Sequence, residues 1–508
     1  MTSGTDGAEG PQRPVIPGFH PDPTVCRVGD TCYLATSSFE YGPGVPVFRS
    51  VDLRAWEQIG HALPTAAHVD LHAAAASSGV LAPTLRHHDG RFWLVTTNLA
   101  DDGGQLVVWA TDPAGPWSAP TRFPTLTGID PDLAWDDDGV CHLTFAGFGP
   151  RGPEGIVQVT VDLERGAVLS ERRHLWSGTG AKFPEAPHLY RVGSWWYLLI
   201  AEGGTERGHA VSVARGPSIS GPFESFCGNP LLTRRGTDAP VQSTGHADLV
   251  ERPDGSWAAV YHGVRARGSS PEWHVLGREI YADDVTWRDG WPNFGRHLEP
   301  AAGPDVVVSE DLDDPVLPLS WVAPAGFPAD VMTREADGWR VTRHGAEPTF
   351  VGRRQQALHA SLRAEVTVDE GSTGGLALRV DAAHQIAVEC SGGVARAVLT
   401  VGAVSSVLGE RDLVGPTGSA ELEIRVLPAD GLWWSTARGP DRVEVGVREG
   451  GAFVVLGSVD GRYLSTEVAG GMTGRMLGVL VSAGSVVARG LVYAGADDAA
   501  AFATHLAG

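Results

Sequence analysis

The 508-residue sequence has no excess of basic residues, no long apolar run and no extended helical pattern. Lys and Arg together number 39 against 61 Asp and Glu, so the formal net charge is -22 at pH 7. Nucleic-acid binding requires clustered basic side chains, and this balance therefore predicts no nucleic-acid partner and favours an uncharged ligand. Because no stretch of about 20 apolar residues occurs, we also expect no membrane partner. A high net charge can serve solubility alone, and that alternative stays open.

The first residues and the cysteines bear on the cellular compartment. The opening MTSGTDGAEGPQRP lacks the apolar core of roughly 7–15 residues that a secretory signal requires, so we expect a cytoplasmic protein with a flexible N-terminus over residues 1–13. The five cysteines are an odd number without the pair spacing of a metal site, which predicts reduced and mostly buried thiols. Cys26 and Cys32 could face each other across a hairpin, but a cytoplasmic location disfavours a disulfide there.

Five similar stretches recur between residue 20 and about residue 300. Each begins with a proline-containing segment, continues as a strand, turns at Gly or Asp, and ends in a strand rich in aromatic and β-branched residues. The copies start roughly 48–60 residues apart, which is in the range of propeller blades. We therefore predict an all-β chain whose residues 14–304 form a five-bladed β-propeller, with the first strand of each copy beside the central channel. The copies are 22–38, 81–98, 129–147, 184–204 and 245–265.

The pattern changes near residue 300. After HLEPAAGPD the chain becomes a series of short Val-rich segments, which are typical of a β-sandwich. A second domain is expected on length alone, because single hydrophobic cores stop growing at about 250–300 residues. Residues 305–508 are therefore predicted to form a β-sandwich. The one helix that we expect is short, in DDAAAFATHL at the end of the chain.

Three acidic segments stand at the same phase of their repeats. They are GFHPDP around Asp22, GIDPDL around Asp130 and FPEAPHLY around Glu185. Equivalent positions of a radial repeat converge on its axis, so the three carboxyl groups should meet at one end of the channel. Hydrolysis of a glycosidic bond needs one carboxylic acid to protonate the leaving oxygen and one carboxylate to activate water. The chain is therefore a candidate glycoside hydrolase.

The local sequence suggests a different role for each carboxyl group. Two prolines fix the backbone around Asp22, as a general base requires, although Asp beside Pro often only satisfies a turn. Asp130 repeats the Asp-Pro arrangement and could tune the pKa of a nearby carboxyl group, with Asp132 as the competing candidate on the same strand face. The apolar, proline-stiffened surroundings of Glu185 should raise its pKa and keep it protonated as a general acid.

Three further side chains are candidates for the site. His246 starts the fifth repeat and could bond a carboxylate or hold a hydrated cation, but a structural core histidine is the alternative. Arg278 could pair with an ionised Asp or donate to sugar hydroxyls, or it could form an ordinary structural ion pair. Sugar rings stack on aromatic side chains, and only Phe39 looks free to line a pocket, since the other hairpin aromatics should fill the inter-blade core.

Taken together, these segments resemble glycoside hydrolase family 43, and the chain is similar to two-domain β-xylosidases and α-L-arabinofuranosidases. The resemblance covers nearly the whole chain, and FVGRRQQ at 350–356 matches the accessory sandwich of such enzymes. It implies a concanavalin-like accessory domain over residues 305–508. The motifs that carry it in the first domain are GFHPDPTVCRVGDTCYLATSSFEYGPGV, GIDPDL, PEAPHLY, AEGGTERGHA, NPLLT, GHADLV and LGREIYADDVTWRDGWP.

The resemblance implies roles for individual residues. Asp22 would be the general base, Asp130 the residue that modulates pKa, and Glu185 the general acid of a one-step inverting reaction on an oligosaccharide. It also implies that Arg278, His246 and Thr205 lie near the subsite for the terminal sugar. No cofactor is required by this chemistry, although the resemblance allows a structural calcium ion near His246 and a homo-oligomeric assembly.

Two departures from the family pattern concern the sugar pocket. Similar β-xylosidases have Trp at the position of Leu81 and Phe at the position of Met472, so both changes remove aromatic contacts. We expect an exo-acting hydrolase that releases terminal β-D-xylose or α-L-arabinofuranose, with a furanose such as galactofuranose as the alternative. A non-catalytic carbohydrate-binding propeller is a rival from another class, but it would not need both an acid and a base. A retaining fructosidase is disfavoured because its Asn-Asp-Pro-Asn start is absent.

Overall fold

The structure is a computed structural model, and it describes residues 12–101, 104–150, 152–312, 315–336, 338–413, 418–431 and 437–507. The predicted flexible N-terminus over 1–13 lies outside these residues except for its last two positions. Helices are few and short, as predicted for an all-β chain. Within the described ranges, none of them has the length and apolar character to cross a lipid bilayer.

Five antiparallel sheets follow one another in the first part of the chain. Their strand orders are β1-β2-β4-β5, β6-β7-β8-β9, β10-β11-β12-β13 with β14 on β12, β15-β16-β17-β18, and β19-β20-β21-β22. The strands of this region are β1 (Thr24–Val28), β2 (Thr31–Ala35), β3 (Tyr41–Gly42), β4 (Gly44–Ser50), β5 (Glu57–Leu63), β6 (Thr84–His88), β7 (Arg91–Thr97), β8 (Gln105–Ala110), β9 (Thr121–Phe123), β10 (Gly128–Trp135), β11 (Cys141–Gly149), β12 (Gly152–Asp162), β13 (Ala167–Val168), β14 (Arg173–Trp176), β15 (Glu185–Val192), β16 (Trp195–Glu202), β17 (Ala210–Gly216), β18 (Glu224–Ser225), β19 (Val241–Glu251), β20 (Trp257–Arg265), β21 (Glu279–Arg288) and β22 (Trp291–His297).

The first strands of the five sheets contact one another in a closed ring. β1 packs beside β6 and β19, β10 lies beside β6 and β15, and β15 contacts β19. Each sheet coincides with one of the predicted repeats, and its first strand is the inner one. The hairpins follow from local sequence: Asp89 and Gly90 both have positive φ, of 49° and 73°, as the two-residue turn between β6 and β7 demands.

The second part of the chain forms two further sheets that enclose a Val-rich core. One has the order β25-β26-β37-β28-β33-β34-β35 with β23 on β37, and the other has the order β27-β36-β29-β30-β31-β32. The elements are β23 (Val307–Asp311), β24 (Ala323–Pro324), α1 (Pro328–Val331), β25 (Met332–Glu335), β26 (Gly338–Thr342), β27 (Thr349–Arg354), β28 (His359–Val368), β29 (Thr373–Asp381), β30 (His384–Ser391), β31 (Val394–Val401), β32 (Val404–Asp412), β33 (Ser419–Pro428), β34 (Asp441–Glu449), β35 (Ala452–Asp460), a 3-10 turn (Gly461–Leu464), α2 (Thr466–Ala469), β36 (Met476–Ala483), β37 (Ser485–Ala496) and α3 (Ala499–Ala507). The predicted C-terminal helix corresponds to α3.

The two groups of sheets meet at a shared interface. The change from one group to the other falls between His297, the end of β22, and Val307, the start of β23. β24 returns to pair with β3, so a strand of the second domain forms a two-stranded sheet with the first. Beside it, an apolar cluster joins aromatic residues of the first domain to Phe350 and Met476 of the second. This interface positions the sandwich next to the three acidic segments.

The cysteines are free thiols, as predicted. Cys227 is exposed and the other four are buried. Cys26 and Cys32 lie on the neighbouring strands β1 and β2 but are not paired, since Cys26 faces Tyr33 and Cys32 faces Arg27 across the ladder. Burial raises the pKa of the Cys26 thiol to about 12, which keeps it protonated and unreactive.

Candidate active site

The three acidic segments meet where the inner strands begin. Asp22 precedes β1, Asp130 lies near the start of β10, and Glu185 is the first residue of β15. Asp22 and Asp130 are only 4% and 8% exposed. The Asp130 carboxylate accepts a hydrogen bond of 3.2 Å from the backbone N–H of Ala186, the residue after Glu185. The structure thus brings together the three carboxyl groups that the repeat phase predicted to converge.

Irregular backbone conformations set the direction of these side chains. Asp22, Asp130 and Ala186 have left-handed φ values of 57°, 55° and 51°, which non-glycine residues adopt only at a cost of about 1–3 kcal/mol each. The β10–β11 and β15–β16 ladders shift register at these points, between Ile129 and Asp132 and just after Glu185. A bulge of this kind re-aims a side chain and interrupts strand alternation.

The bulge decides between Asp130 and its competitor Asp132. Asp132 is fully buried and pairs with Arg86 Nη2 at 2.8 Å, while its other oxygen accepts from the backbone N–H of Leu189. Strand alternation would have placed it on the same face as Asp130. Because the bulge separates the two, Asp132 belongs to a structural ion pair and Asp130 alone lies beside Glu185.

Asp22 is held ionised by its neighbours. Burial by itself would raise its pKa, but the guanidinium of Arg278 outweighs burial and holds the pKa well below its usual range. Arg278 Nη1 donates to Asp22 Oδ1, and the Ser37 hydroxyl donates to Oδ2 at 2.5 Å. A carboxylate in this setting stays negatively charged and can accept a proton from water.

The pKa values of Glu185 and Asp130 are shifted in the opposite direction, upwards. Burial and then the negative charge of Asp22 raise the pKa of Glu185 to about 7, although Arg278 opposes the shift. Burial and the charges of Glu185 and Asp22 also raise the pKa of Asp130 well above its ordinary value. A carboxyl group that keeps its proton near neutral pH can donate it to a leaving group.

Arg278 connects the site to the second domain. Its guanidinium contacts Thr205 Oγ1 at 3.3 Å and the backbone carbonyl of Met472 at 3.3 Å, in addition to Asp22. It also lies 5.6 Å from the centroid of the Phe39 ring. Arg278 is therefore in direct contact with both Thr205 and Met472, two of the other residues expected at the sugar subsite. The Met472 side chain is 40% exposed.

The prediction that Phe39 is free to line a pocket needs correction. Its side chain is only 3% exposed and packs 5.9 Å from the Phe19 ring, in the apolar cluster between the two domains. The sandwich covers this loop, which no pattern within the first domain could indicate. Leu81 is partly buried against the same cluster. Phe39 also contacts Arg278 of the site.

His246 lies beside Asp22 and near two further histidines, His209 and His262. Its Nδ1 lies 3.5 Å from Asp22 Oδ1, and the His262 ring stacks on that of His209 with centroids 5.1 Å apart. Burial is the main reason why the pKa of His246 falls to about 3 and that of His262 to about 4, so both are neutral at pH 7. His262 accepts a hydrogen bond from the backbone N–H of Asp22.

Donor atoms of Asp22, His246 and His262 lie within 4.8 Å of one another and could in principle hold a metal ion. Calcium takes about six to eight oxygen ligands. Here two of the three donors are nitrogens, and the carboxylate is already paired with Arg278. The residues present do not fit calcium, so no step of the chemistry is derived through it.

Sequence reasoning missed Ser37, His209 and His262. Ser37 follows β2 and donates to Asp22, and His262 lies on β20, opposite Gly245 in the fifth repeat. Both stand on or after second strands of their repeats, whereas the phase argument concerns only the first strands. The sequence signal that could have identified such residues is a polar residue in an otherwise apolar second strand, such as the His of VYHGV.

A second polar network lies deeper on the axis. Arg86 pairs with Asp132 and Asp248 at 2.8 Å each, and the Tyr190 hydroxyl also donates to Asp248. Asp248 further accepts from Thr24 Oγ1, so the network joins the inner strands of all five sheets. These interactions tie the inner strands together.

The geometry agrees with comparisons to known proteins. The family described as Glycosyl hydrolases family 43 matches residues 11–292, and the Beta xylosidase C-terminal Concanavalin A-like domain matches residues 338–490. The chain belongs to glycosyl hydrolase family 43. It is accordingly a glycoside hydrolase, and the expectation of a propeller with a concanavalin-like second domain is confirmed.

Individual relatives extend the family match over both domains. The chain is 34% identical to a non-reducing end alpha-L-arabinofuranosidase of Bacteroides ovatus over 93% of its own length and 91% of the relative. It is 42% identical to a xylosidase/arabinosidase of Butyrivibrio fibrisolvens, over 55% of each chain. Among solved structures, a xylan beta-1,4-xylosidase from Bacillus halodurans superposes with a TM-score of 0.83 at 25% identity, covering 96% of this chain and 100% of the other.

Proposed function

We propose that this family 43 enzyme is an inverting exo-glycosidase that removes terminal pentoses, β-D-xylose or α-L-arabinofuranose, from the non-reducing ends of short oligosaccharides. The observation that carries the proposal is the opposite shift of two neighbouring carboxyl groups. The pKa of Asp22 lies well below its usual range, whereas that of Glu185 is raised to about 7. Two carboxyl groups whose pKa values are shifted in opposite directions are typical of a general base and a general acid.

The proposed reaction is a single displacement at the anomeric carbon. Asp22 accepts a proton from water while the water oxygen bonds to the anomeric carbon, and the bond to the leaving oxygen breaks. Glu185 gives its proton to that oxygen, and solvent then returns both groups to their starting states. Attack opposite the leaving group inverts the anomeric configuration, which requires the two carboxyl groups to stand roughly 6.5–9.5 Å apart with water between them.

Asp130 and Arg278 support these two roles. Asp130 binds the backbone N–H next to Glu185, so it can orient the acid as well as influence its pKa. Arg278 keeps Asp22 ionised and leaves further N–H groups for sugar hydroxyls near Thr205. Once the pentose is bound, the same guanidinium would thus contact both the base and the substrate.

The names of the relatives support pentose substrates. They comprise a non-reducing end alpha-L-arabinofuranosidase, xylosidase/arabinosidases and beta-xylosidases. Because these names all refer to pentoses, we consider pentosides the favoured substrates and galactofuranosides, which contain a hexose, the less favoured ones. The reaction needs no resident cofactor, and calcium near His246 is not part of the proposal. A cytoplasmic location and a homo-oligomeric assembly stay predictions from the sequence.

The test combines a substrate panel with variants of the two carboxyl groups. Wild-type protein is assayed on p-nitrophenyl β-D-xylopyranoside, α-L-arabinofuranoside, α-L-arabinopyranoside and β-D-galactofuranoside, and NMR follows the anomer first released. Asp22→Asn should reduce kcat by about 10²–10⁴-fold in a protein that still folds, as checked by circular dichroism. Asp136→Asn is the control, because that side chain caps the β10–β11 turn far from the acids. Hydrolysis of no pentoside, or full activity in Asp22→Asn, would contradict the proposal.

A further inference from the structure

A cavity of about 200 Å³ lies between the two domains, and none of the three carboxyl groups lines it. Its walls include His20, Trp56 and Gln58 from the propeller and Arg354 and Gln356 from the sandwich. The reaction described above uses none of these residues. The described residues that line the cavity include no Asp or Glu, in a chain whose net charge is -22.

Arg354 is the unusual member of this wall. Its side chain is 3% exposed, and its Nε donates to the backbone carbonyl of Phe19 at 2.5 Å. Its Nη2 is buried and has no hydrogen-bond partner within the described part of the chain. Across those same residues, no carboxylate lies within ion-pair distance of its guanidinium. Burial lowers the pKa of Arg354 to about 10, which still leaves it positively charged at neutral pH.

Three other arginines with little solvent exposure are paired with buried carboxylates. Arg86 pairs with Asp132 and Asp248, Arg265 with Glu279, and Arg475 with Asp441, and each of these four carboxylates is at most 1% exposed. A buried cation without a counter-charge costs several kcal/mol, because desolvation is not offset by attraction. Arg354 lacks the counter-ion that these three arginines have.

The charge of Arg354 also acts on two nearby histidines. Burial and then the charge of Arg354 hold the pKa of His20 well below its usual value. The same two causes lower the pKa of His61, whose Nε2 lies 3.2 Å from Gln58 Nε2 of the cavity wall, to about 3. His20 Nδ1 donates to the backbone carbonyl of Pro17, so that carbonyl is not free to serve the guanidinium. The charge of Arg354 therefore acts on the cavity without a negative group among the described lining residues to balance it.

We propose that this interdomain cavity binds a small oxyanion, either an inorganic oxyanion or the carboxylate of an organic acid, with Arg354 as its principal donor. A guanidinium presents N–H groups in a planar fork that matches the oxygen spacing of such anions. The volume exceeds the roughly 30 Å³ of one water molecule several-fold, so an oxyanion and bridging waters fit. Since both domains form the walls, a bound anion would also strengthen their contact.

Titration calorimetry on the full-length protein tests the site with sodium sulfate, phosphate and acetate at constant ionic strength. We expect saturable one-to-one binding of at least one anion, weakened at least tenfold in Arg354→Met. Arg165→Met is the matched control, because its side chain is 84% exposed, and it should bind as wild type. Binding of sulfate or phosphate alone would identify an inorganic oxyanion, and binding of acetate alone a carboxylate. No saturable binding, or equal binding in Arg354→Met, would overturn the proposal.

A measurement on the wild-type protein covers the case in which Arg354→Met does not fold. Crystals grown with selenate should give an anomalous scattering peak beside Arg354 in the cavity. A peak elsewhere would refute the site, and a peak without saturable sulfate binding in solution would mean an adventitious ion only. The outcome is independent of the proposed hydrolysis, since neither readout measures activity.

Discussion

Arg278, which pairs with the carboxylate of Asp22, donates its second guanidinium N–H to the backbone carbonyl of Met472 at 3.3 Å. Met472 belongs to the sandwich, whereas the other two residues belong to the propeller. The backbone N–H of Met472 is in turn bound by the Ser77 hydroxyl of the propeller at 2.8 Å. The second domain is therefore a structural part of the candidate active site, and both backbone polar groups of Met472 bind side chains of the propeller.

The Ser77 contact yields the first prediction. Ser77→Ala should lower kcat/KM by about 2–10-fold, the value of one neutral hydrogen bond, because the Met472 carbonyl would hold Arg278 less firmly. Initial rates on the preferred aryl pentoside measure the change. Ser170→Ala is the control, since its hydroxyl accepts a similar backbone N–H bond at the rim of the propeller. Equal losses in both variants would argue against a role of the sandwich loop in catalysis.

The pKa of Glu185 predicts the alkaline side of the pH profile. A group whose pKa is raised to about 7 keeps its proton below that pH, so kcat/KM should fall as the pH rises through about 7. Glu185→Gln should abolish this limb and slow oligosaccharide hydrolysis by about 10²–10⁴-fold. An aryl glycoside with an acidic phenol as leaving group should be affected less, because it needs little protonation. An unchanged alkaline limb in Glu185→Gln would assign the acid to another residue.

Arg278 should set both limbs of that profile. Its charge lowers the pKa of Asp22, Glu185 and Asp130, so Arg278→Met should raise all three values. The expected result is an acidic limb that enters the measurable range, together with an alkaline limb moved to higher pH. Arg91→Met, which removes an exposed pair with Glu164, serves as the control. If the rate falls but both limbs of the pH profile stay at the same pH, Arg278 contacts the substrate without setting these pKa values.

The deeper axial network predicts a stability effect without a chemical one. Arg86→Met would leave Asp132 and Asp248 buried without their cation, which should cost about 3–5 kcal/mol of unfolding free energy. The melting temperature measured by scanning fluorimetry should fall clearly below that of the wild type. Arg49→Met removes only an exposed pair with Glu57, worth about 0–1 kcal/mol, and should melt close to the wild type. Similar melting of the two variants would show that the network contributes little.

The parts of the site that repeat along the chain could be predicted from the sequence. Asp22, Asp130 and Glu185 stand at equivalent positions, and hairpin turns such as Asp89-Gly90 mark the period. The sequence does not decide between Asp130 and Asp132, because a bulge is a backbone event that side-chain alternation does not reveal. The prediction for Phe39 is wrong because the surface that covers this side chain comes from a residue range about 300 positions away in the chain.

The two-stranded sheet of β3 and β24 also affects how these domains can be recombined. Tyr41 and Gly42 pair with Pro324 and Ala323, so each domain completes a piece of hydrogen-bonded backbone in the other. A chimaera that joined this propeller to the sandwich of a relative at residue 300 would break that match and the aromatic cluster beside it. An exchange of sandwich domains between relatives should succeed only when the segments around β3 and β24 both come from the same protein.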